Sequence, residues 1–324
     1  MADAVLSFPR FRSRLPWWGR DLQTLRNYIV SIESSLAPYP AERVEFPMTD
    51  GDRLLASLHR PAEDLGRALV VLIHGLTGSE DSAYIRASAL HFLDQGYRVL
   101  RLNLRGAGPS KGVCRSRYHA GRSDDLRQVL GQMDGRLAGK GLLLVGYSLG
   151  GNLLLKYLGE AGRRAIVRGA VSISAPIDLD AARRSIMRPR NRLYHRHIVS
   201  GLKLESESLE LTAAQRRILA EVETVFDFDD RILAPLMGFA DALDYYRRSM
   251  ALPLLPEIRV PTLVIHARND PWIPFRSYRD FDWASNPRLI PLLPTTGGHV
   301  GFHGRGSRVP WHDRSMALFF GRLG

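Results

Sequence analysis

Residues 142–158 read Leu-Leu-Leu-Val-Gly-Tyr-Ser-Leu-Gly-Gly-Asn-Leu-Leu-Leu-Lys-Tyr-Leu. Four apolar residues with the length of a buried strand come first, then a G-x-S-x-G pentapeptide, then a helical run. So sharp a turn strains the backbone at Ser148, and the flanking glycines let strand and helix pass closely. The stretch therefore predicts a strand, a tight turn that exposes Ser148, and a helix whose first N–H groups face developing negative charge. The alternative is a glycine-rich turn with a structural serine.

On both sides of this stretch, apolar strands alternate with helical patterns. Such alternation predicts an α/β fold, with a mostly parallel central sheet covered by helices on both faces. The first two strands differ, because a turn at 50–52 joins them as an antiparallel hairpin. The predicted strands are 43–46, 54–59, 68–73, 97–102, 142–145, 166–173, 261–266 and 289–293, and the predicted helices are 22–34, 82–95, 123–137, one that starts near 149, and 311–323.

The alternation is interrupted once, between Pro176 and Pro256. This segment contains basic helical patterns without a buried-strand pattern, and Thr212 and Gln215 have the spacing of a capping box. An insertion of this length between two strands predicts a helical cap over the edge of the sheet that carries the site. The predicted division is an N-terminal wrapping segment at 1–40, a core at 41–175 and 257–324, and a helical cap at 176–256.

The chain has 324 residues and a formal net charge of +12 at pH 7, nearly all of it from arginine. The arginines are spread along the chain without a nucleic-acid-binding signature, so we predict no nucleic-acid partner; anionic lipid surfaces and acidic substrates stay open. A single cysteine excludes an internal disulfide and favours a reducing compartment. No apolar run has the length of a membrane helix, and the N-terminus lacks the order of a signal peptide, so we predict a cytoplasmic protein.

An attacking serine hydroxyl needs a histidine base that a carboxylate holds in place. After a G-x-S-x-G turn of this kind, the acid and then the histidine follow along the chain. Asp270 comes just after the predicted strand 261–266, and His299 follows the last predicted strand in a Gly-Gly-His loop. We therefore predict Ser148, Asp270 and His299 as catalytic residues, with Asp178 as the alternative acid and His303 as the alternative base.

Two backbone N–H groups must also stabilise the negative oxygen of the intermediate. Leu149, directly after Ser148, would supply one of them. The loop at 74–78 follows the first predicted parallel strand, and we assign the second donor to its Leu76. The alternative is that this loop is an ordinary glycine-rich connection between a strand and a helix.

Other patterns carry weaker signals. Residues 103–108 resemble a dinucleotide-binding loop but lack its third glycine, and His195 and His197 lack a carboxylate or cysteine partner, so we predict no cofactor and no metal. A basic run in the cap has two interpretations: it contacts anionic head groups, or it forms a solvated face. A set of apolar positions in the cap also has two: they line an acyl pocket, or they only pack the cap. The basic run comprises Arg183, Arg184, Arg188, Arg190, Arg192 and Arg196, and the apolar positions are Phe226, Leu236, Met237, Phe239 and Tyr245.

With these residues placed, the chain resembles the YheT-type group of α/β hydrolases, whose animal and plant relatives include lipid-directed esterases. The G-x-S-x-G turn is common to most of that superfamily, whereas Leu22-Gln23-Thr24 and the cap segment are more specific to the group. One departure is Gly19-Arg20, where a glycine–histidine pair is expected. The matching segments are 19–24, 74–79, 103–108, 146–152, 226–229 with 245–246, 269–271 and 297–301.

The resemblance implies the α/β-hydrolase fold, the three catalytic residues above, no cofactor and hydrolysis of carboxylic esters. We expect a serine esterase that cleaves small-molecule or lipid esters with short to medium acyl chains, monoacylglycerols or phospholipids among them, through an acyl-serine intermediate. Two alternatives stay open, namely an acyltransferase on the same fold and a ligand-binding homologue without catalysis.

Overall fold

The computed structural model describes residues 7–30 and 35–323, apart from the side chain of Arg136. A sheet of eight strands runs through the described chain in the order β1-β2-β4-β3-β5-β6-β7-β8. The pairs β1–β2 and β2–β4 are antiparallel and all later neighbours are parallel, which confirms the mostly parallel sheet. The strands are β1 Ala41–Pro47, β2 Arg53–His59, β3 Leu69–Ile73, β4 Val99–Leu102, β5 Leu142–Tyr147, β6 Gly169–Ile173, β7 Thr262–Ile265 and β8 Leu289–Leu292.

Helices cover both faces of the sheet. In chain order they are α1 Gly19–Ile29, α2 Ala83–Leu93, α3 Ser123–Gly131, α4 Gly135–Ala138, α5 Leu149–Ala161, α6 Leu179–Ile186, α7 Arg192–Ser206, α8 Ala213–Glu221, α9 Val225–Phe228, α10 Ala234–Met237, α11 Ala242–Ser249, α12 Arg276–Arg279 and α13 Trp311–Gly321. A π-helical turn at Asp229–Leu233 connects α9 and α10, and short 3₁₀ turns occupy Gly108–Val113, Gly162–Arg164, Pro189–Asn191, Leu252–Glu257 and Trp283–Ser285.

Two predicted helices differ from the structure. The helix predicted at 22–34 begins earlier, at Gly19, and its described part ends at Ile29; positions 31–34 lie outside the described residues. The single helix predicted at 123–137 is wrong, because the chain leaves the helix after Gly131 and starts again at Gly135. The carboxylate of Asp134 accepts a hydrogen bond from the N–H of Leu137, so this side chain caps the start of a second helix. The continuous helical periodicity of the sequence had suggested a single helix.

The central strands are buried at every position because helices pack on both of their faces. Alternate residues of β3 enter opposite apolar clusters. Val71 and Ile73 pack on the face that carries α3, α5 and the segment between β6 and β7, whereas Val70 and Leu72 pack on the face that carries α2 and α13. The two-residue period of a strand thus builds two cores from one apolar run.

Between β6 and β7 the chain forms helices and turns over residues 176–256, all of which the structure describes. The predicted capping box is confirmed, since the Gln215 N–H donates to Thr212 Oγ1 over 3.2 Å and the Thr212 N–H donates to Gln215 Oε1 over 2.9 Å. Arg190 pairs with Asp21 over 2.8 Å, so this segment also contacts α1. The division into wrapping segment, core and cap stays a prediction.

The segment at 103–108 has a structural role, because its buried residue Arg105 forms a network of ion pairs. Arg105 is only 1% exposed, and its guanidinium donates to Asp125 over 2.7 Å, to Asp52 over 2.5 Å and to Asp50 over 2.9 Å. A buried cation needs anions paired with it. Asp50 and Asp52 of the turn between β1 and β2 supply two of these anions, which explains the acidic character of that turn. The network ties that turn to the loop after β4.

Candidate active site

The predicted strand, turn and helix around Ser148 are all present. Ser148 has φ +51° and ψ −121°, a strained conformation for a residue other than glycine, and it lies between β5 and α5. A Cβ atom on Gly146 would lie 2.4 Å from the carbonyl oxygen of Gly150, and one on Gly150 would lie 2.4 Å from that of His74. Glycine is therefore required at both positions, since any side chain would push strand and helix apart.

The structure brings the three predicted catalytic side chains together. Ser148 Oγ lies 3.0 Å from His299 Nε2, and His299 Nδ1 lies 2.8 Å from Asp270 Oδ2. His299 and Asp270 are buried, and Ser148 is half-buried on the wall of a pocket. A serine hydroxyl can thus transfer its proton to an imidazole that a carboxylate orients.

Asp270 is held by more than His299. Its Oδ1 accepts hydrogen bonds from the N–H groups of Trp272 over 2.8 Å and Ile273 over 3.0 Å, which leaves Oδ2 for the imidazole. Burial alone would raise the pKa of Asp270, but the contact with His299, the nearby His266 and the N–H of Ile273 together outweigh it and lower that pKa below its ordinary value. The indole ring of Trp272 also stacks on the His299 ring, with centroids 4.3 Å apart. Asp270 is therefore ionised at neutral pH, as an orienting carboxylate must be.

The two alternative residues lie elsewhere. Asp178 caps the N-terminus of α6, where its carboxylate accepts the N–H of Ala181 over 2.9 Å. His303 is buried, and its Nε2 lies 3.0 Å from Asn27 Oδ1. Among the residues predicted as acid and base, Asp270 and His299 are thus the pair that the structure joins to Ser148.

The loop at 74–78 lies directly against Ser148, since a Cβ atom on Gly75 would lie 3.0 Å from that of Ser148. Three of its amides already have acceptors: Gly75 donates to Tyr84 Oη over 2.9 Å, Thr77 to Tyr118 Oη over 2.7 Å, and Gly78 to a carbonyl in the same loop over 3.2 Å. No described group accepts from the amide of Leu76. Leu76 and Leu149 both border the pocket beside Ser148, as two oxyanion donors must.

One part of the site was missed in the sequence. The loop that carries His299 is clamped by α1, because the His299 N–H donates to Thr24 Oγ1 over 2.9 Å and the His303 N–H donates to Gln23 Oε1 over 2.7 Å. Asn27 also donates to the carbonyl oxygen of Val300 over 3.1 Å. The departure at Gly19-Arg20 also lies in this contact, because the Arg20 carbonyl accepts from Thr24 Oγ1 over 2.7 Å. The group-specific Leu22-Gln23-Thr24 motif was the signal that could have identified this clamp.

The pocket beside Ser148 has a volume of about 350 Å³ and a largely apolar wall. Leu179, Ala182, Ile186, Ile198 and Leu202, from α6 and α7, form much of that wall. Of the five apolar cap positions predicted to line it, only Tyr245 does so. Met237 and Phe239 instead border a separate polar cavity with Arg105, and Phe226 packs under the guanidinium of Arg183 at 4.9 Å. Apolar residues mark buried faces, but the sequence does not distinguish the face toward a cavity from the face toward the core.

The structure also shows the surroundings of His195 and His197, the two histidines considered above as metal ligands. His195 Nε2 accepts the N–H of Val225 over 3.0 Å, and His197 lies against Tyr28 at the edge of the pocket, with ring centroids 5.8 Å apart. Among the described residues, no group of three or more His, Cys, Asp or Glu side chains is arranged to hold a metal ion. The described helices also include none with the length and apolar character needed to span a membrane.

Comparison with known proteins places these features in a family. A family model described as the alpha/beta hydrolase fold matches residues 68–305. YheT of Escherichia coli, which is provisionally named an esterase, is 32% identical over 87% of this chain and 84% of its own length. In Saccharomyces cerevisiae, a monoacylglycerol lipase is 26% identical over 79% of this chain, and a medium-chain fatty acid ethyl ester synthase/esterase is 29% identical over 78%. The chain spans 59% and 61% of these two yeast proteins.

Solved structures show the same fold at lower identity. An esterase of Pyrococcus furiosus aligns with a TM-score of 0.60 at 17% identity, covering 98% of both chains. A 2,6-dihydroxy-pseudo-oxynicotine hydrolase aligns with a TM-score of 0.58 at 18% identity, covering 92% of this chain and 71% of the other.

Proposed function

The chain belongs to the α/β-hydrolase fold family, and from that premise we propose that it cleaves carboxylic esters through an acyl-enzyme on Ser148. The hydrogen-bonded path from Ser148 Oγ through His299 to Asp270, with steps of 3.0 and 2.8 Å, carries the proposal. The esterases and lipases among its relatives support ester hydrolysis as the reaction class.

The proposed mechanism follows from the positions of these groups. His299 Nε2 takes the proton of Ser148 as Oγ attacks the ester carbonyl, and the N–H groups of Leu76 and Leu149 stabilise the oxyanion. The imidazolium then protonates the departing alcohol, which leaves an acyl-serine. A water molecule that gives one proton to His299 then attacks the acyl group. As the bond from the acyl carbon to Oγ breaks, His299 returns that proton to Ser148 Oγ, and the carboxylic acid is released.

The proposed substrates are esters with short to medium acyl chains. The apolar side chains of α6 and α7 along a pocket of about 350 Å³ support an acyl chain as the bound group. Each buried methylene contributes about 0.8 kcal/mol, so a pocket of limited size favours longer chains only until its wall is reached. The names of the yeast relatives, which refer to monoacylglycerol and to medium-chain ethyl esters, support lipid esters within this class.

Labelling with a fluorophosphonate tests the proposal, because the reagent forms a bond to an activated serine. We expect the reagent to label the wild-type protein at Ser148. The fraction of p-nitrophenyl ester hydrolysis that is lost should equal the fraction of protein that is labelled. Labelling at another residue, or none, would contradict the assignment. Absence of both labelling and hydrolysis would instead favour the ligand-binding alternative.

Transfer of the acyl group to an alcohol is a second candidate, favoured by the yeast relative whose name combines synthase with esterase. Both reactions share the acyl-serine, and they differ in which acceptor attacks it. We would measure the ratio of ethyl ester to free acid formed from one p-nitrophenyl ester as ethanol is added. A hydrolase gives mostly free acid at millimolar ethanol, whereas an acyltransferase gives mostly ethyl ester.

Contact with anionic membranes and a cytoplasmic location also stay proposals. Arg188, Arg192 and Arg196 are exposed, and Leu193, beside Arg192 on α7, is 80% exposed. Such a surface is attracted to anionic head groups by about 1 kcal/mol per basic residue. Added salt should therefore weaken hydrolysis on anionic vesicles and leave a soluble short-chain ester nearly unaffected; equal salt sensitivity of the two would contradict the membrane contact.

A further inference from the structure

The group-specific cap motif contributes to the substrate pocket. Asp229 from the segment 226–229, with Tyr245 and Tyr246, lies on the pocket wall, although none of the three contacts the Ser148–His299 pair. The pocket is bordered at one place by the exposed residues Tyr28 and His197, and elsewhere by these three buried residues. Asp229, Tyr245 and Tyr246 therefore belong to a buried part of the pocket wall.

The carboxylate of Asp229 is only half satisfied. The side chain is almost fully buried, since Asp229 is 8% exposed, and its Oδ2 accepts the hydroxyl of Tyr246 over 2.7 Å. Within the described part of the chain, no group donates to Oδ1. A carboxylate oxygen that accepts no hydrogen bond from the protein, on a residue that borders a pocket, can accept one from a bound ligand.

The neighbouring cations form hydrogen bonds with other groups, although Arg117 Nε and Arg183 Nε are buried without a hydrogen-bond partner. Arg117 donates to Ser206 Oγ and to Glu205 Oε2, each over 3.0 Å, and Arg183 donates to Asp180. Burial raises the pKa of Asp229 to about 7, against the opposing effects of the Tyr246 hydroxyl and of the positive charges of Arg117 and Arg183. The protonated form of this carboxyl group is therefore more accessible near neutral pH than that of an ordinary aspartate.

We propose that Asp229 determines specificity by binding a hydroxyl group of the ester substrate at the buried wall of the pocket. This proposal rests on the proposed ester hydrolysis and adds a feature to its substrate. A hydroxyl donates to an ionised carboxylate and accepts from a protonated one, so it binds both forms of Asp229. An ammonium group binds only the ionised form, and a methyl end binds neither.

Two positions on an ester can carry this hydroxyl, namely the far end of the acyl chain and the alcohol. Matched pairs of substrates distinguish them. The acyl pair is p-nitrophenyl octanoate with its ω-hydroxy derivative, and the alcohol pair is ethyl octanoate with the ethylene glycol monoester. The ω-amino derivative tests a cation in the same place.

We expect the wild-type protein to show a kcat/KM higher by about tenfold for the hydroxylated member of one pair, because a hydrogen bond to a charged or buried group has about that effect. The substitution Asp229→Leu should remove the preference. The double variant Asp229→Leu with Tyr246→Phe should remove it as well, without leaving a buried hydroxyl unpaired. The matched control is Asp230→Asn, which removes a neighbouring charge outside the pocket wall and should keep the preference.

Each outcome bears on one of the two proposals. If fluorophosphonate labels Ser148 and all esters are hydrolysed but neither pair shows a preference, the hydroxyl site is wrong and the esterase proposal stands. That result needs only the wild-type protein, so it holds even if the variants fail to fold. A preference that survives both Asp229 variants, or a stronger preference for the ω-amino derivative, would also overturn the hydroxyl site. Absence of labelling and hydrolysis would overturn both proposals.

Discussion

Ser148 and His299 lie 3.0 Å apart, yet the backbone around each is held in a different way. The turn around Ser148 is held by the strand and helix that it joins and by the neighbouring strands. Gly146 leaves room for the start of α5, and Gly150 leaves room for the carbonyl of His74 after β3. The Ser148 N–H donates to the carbonyl of Ile173 at the end of β6 over 2.8 Å. The loop around His299 is assembled from distant segments. Its amide donates to a threonine 275 positions away in the chain, and the Val300 N–H donates to Ser174 over 3.2 Å.

This difference predicts different sensitivities to substitution. The serine turn is stabilised by the strand and helix that it joins, so a distant substitution should scarcely displace Ser148. The histidine loop depends on single hydrogen bonds from α1 and from the β6–α6 loop, and each can be removed separately. Substitutions far from the chemistry should therefore act on His299 first. The predictions below test this contrast.

Ser148→Ala should have the largest effect on activity and a small effect on stability. It removes the nucleophile, and loss of a triad member typically costs on the order of 10⁴-fold or more in kcat. The local turn should keep its structure, because a half-buried hydroxyl contributes little packing. Ester hydrolysis and thermal unfolding would be measured together, and activity within tenfold of wild type would refute the assignment.

Asp270→Asn should lower kcat by about 10³–10⁴-fold at neutral pH. The N–H groups of Trp272 and Ile273 hold the oxygen of the amide, so its NH₂ group faces His299 Nδ1 and stabilises the wrong tautomer. The matched control is Asp178→Asn, whose carbonyl oxygen can still cap α6. If Asp178→Asn lowers kcat as much as Asp270→Asn does, Asp270 is not the orienting acid.

Thr24→Val should lower kcat by about tenfold with a small change in KM, although Thr24 contacts no reacting atom. Valine keeps the shape but removes the acceptor for the His299 N–H, and an unsatisfied buried donor costs about 1–3 kcal/mol. Thr49→Val, at an exposed threonine, serves as the control. If Thr24→Val lowers the melting temperature and leaves kcat unchanged, α1 stabilises the fold without positioning His299.

Ile198→Ala should have the smallest effect on the best kcat and should change the preferred acyl length. Ile198 lies on the pocket wall and contacts neither Ser148 nor His299, so its truncation makes room for further methylenes, each contributing about 0.8 kcal/mol. Leu193→Ala on the same helix is the control, because Leu193 is 80% exposed. The measurement is kcat/KM as a function of acyl length. If Ile198→Ala and Leu193→Ala give the same profile, Ile198 does not contact the acyl chain.

The sequence alone predicted what local order determines: the alternation of strands and helices, the strained turn at Ser148, the capping box at Thr212, and an acid and a histidine that follow the serine in order. The first three depend on residues that are close in the chain, where spacing is visible directly, and the last follows from the chain order that accompanies a G-x-S-x-G turn. Only the tertiary structure joined Asp270 and His299 to Ser148 in place of Asp178 and His303, and placed α1 against the histidine loop. It also decided which apolar cap residues border the pocket and which pack the core. Those outcomes depend on contacts between residues far apart in sequence, since an apolar or polar pattern shows that a face is buried but not what it meets.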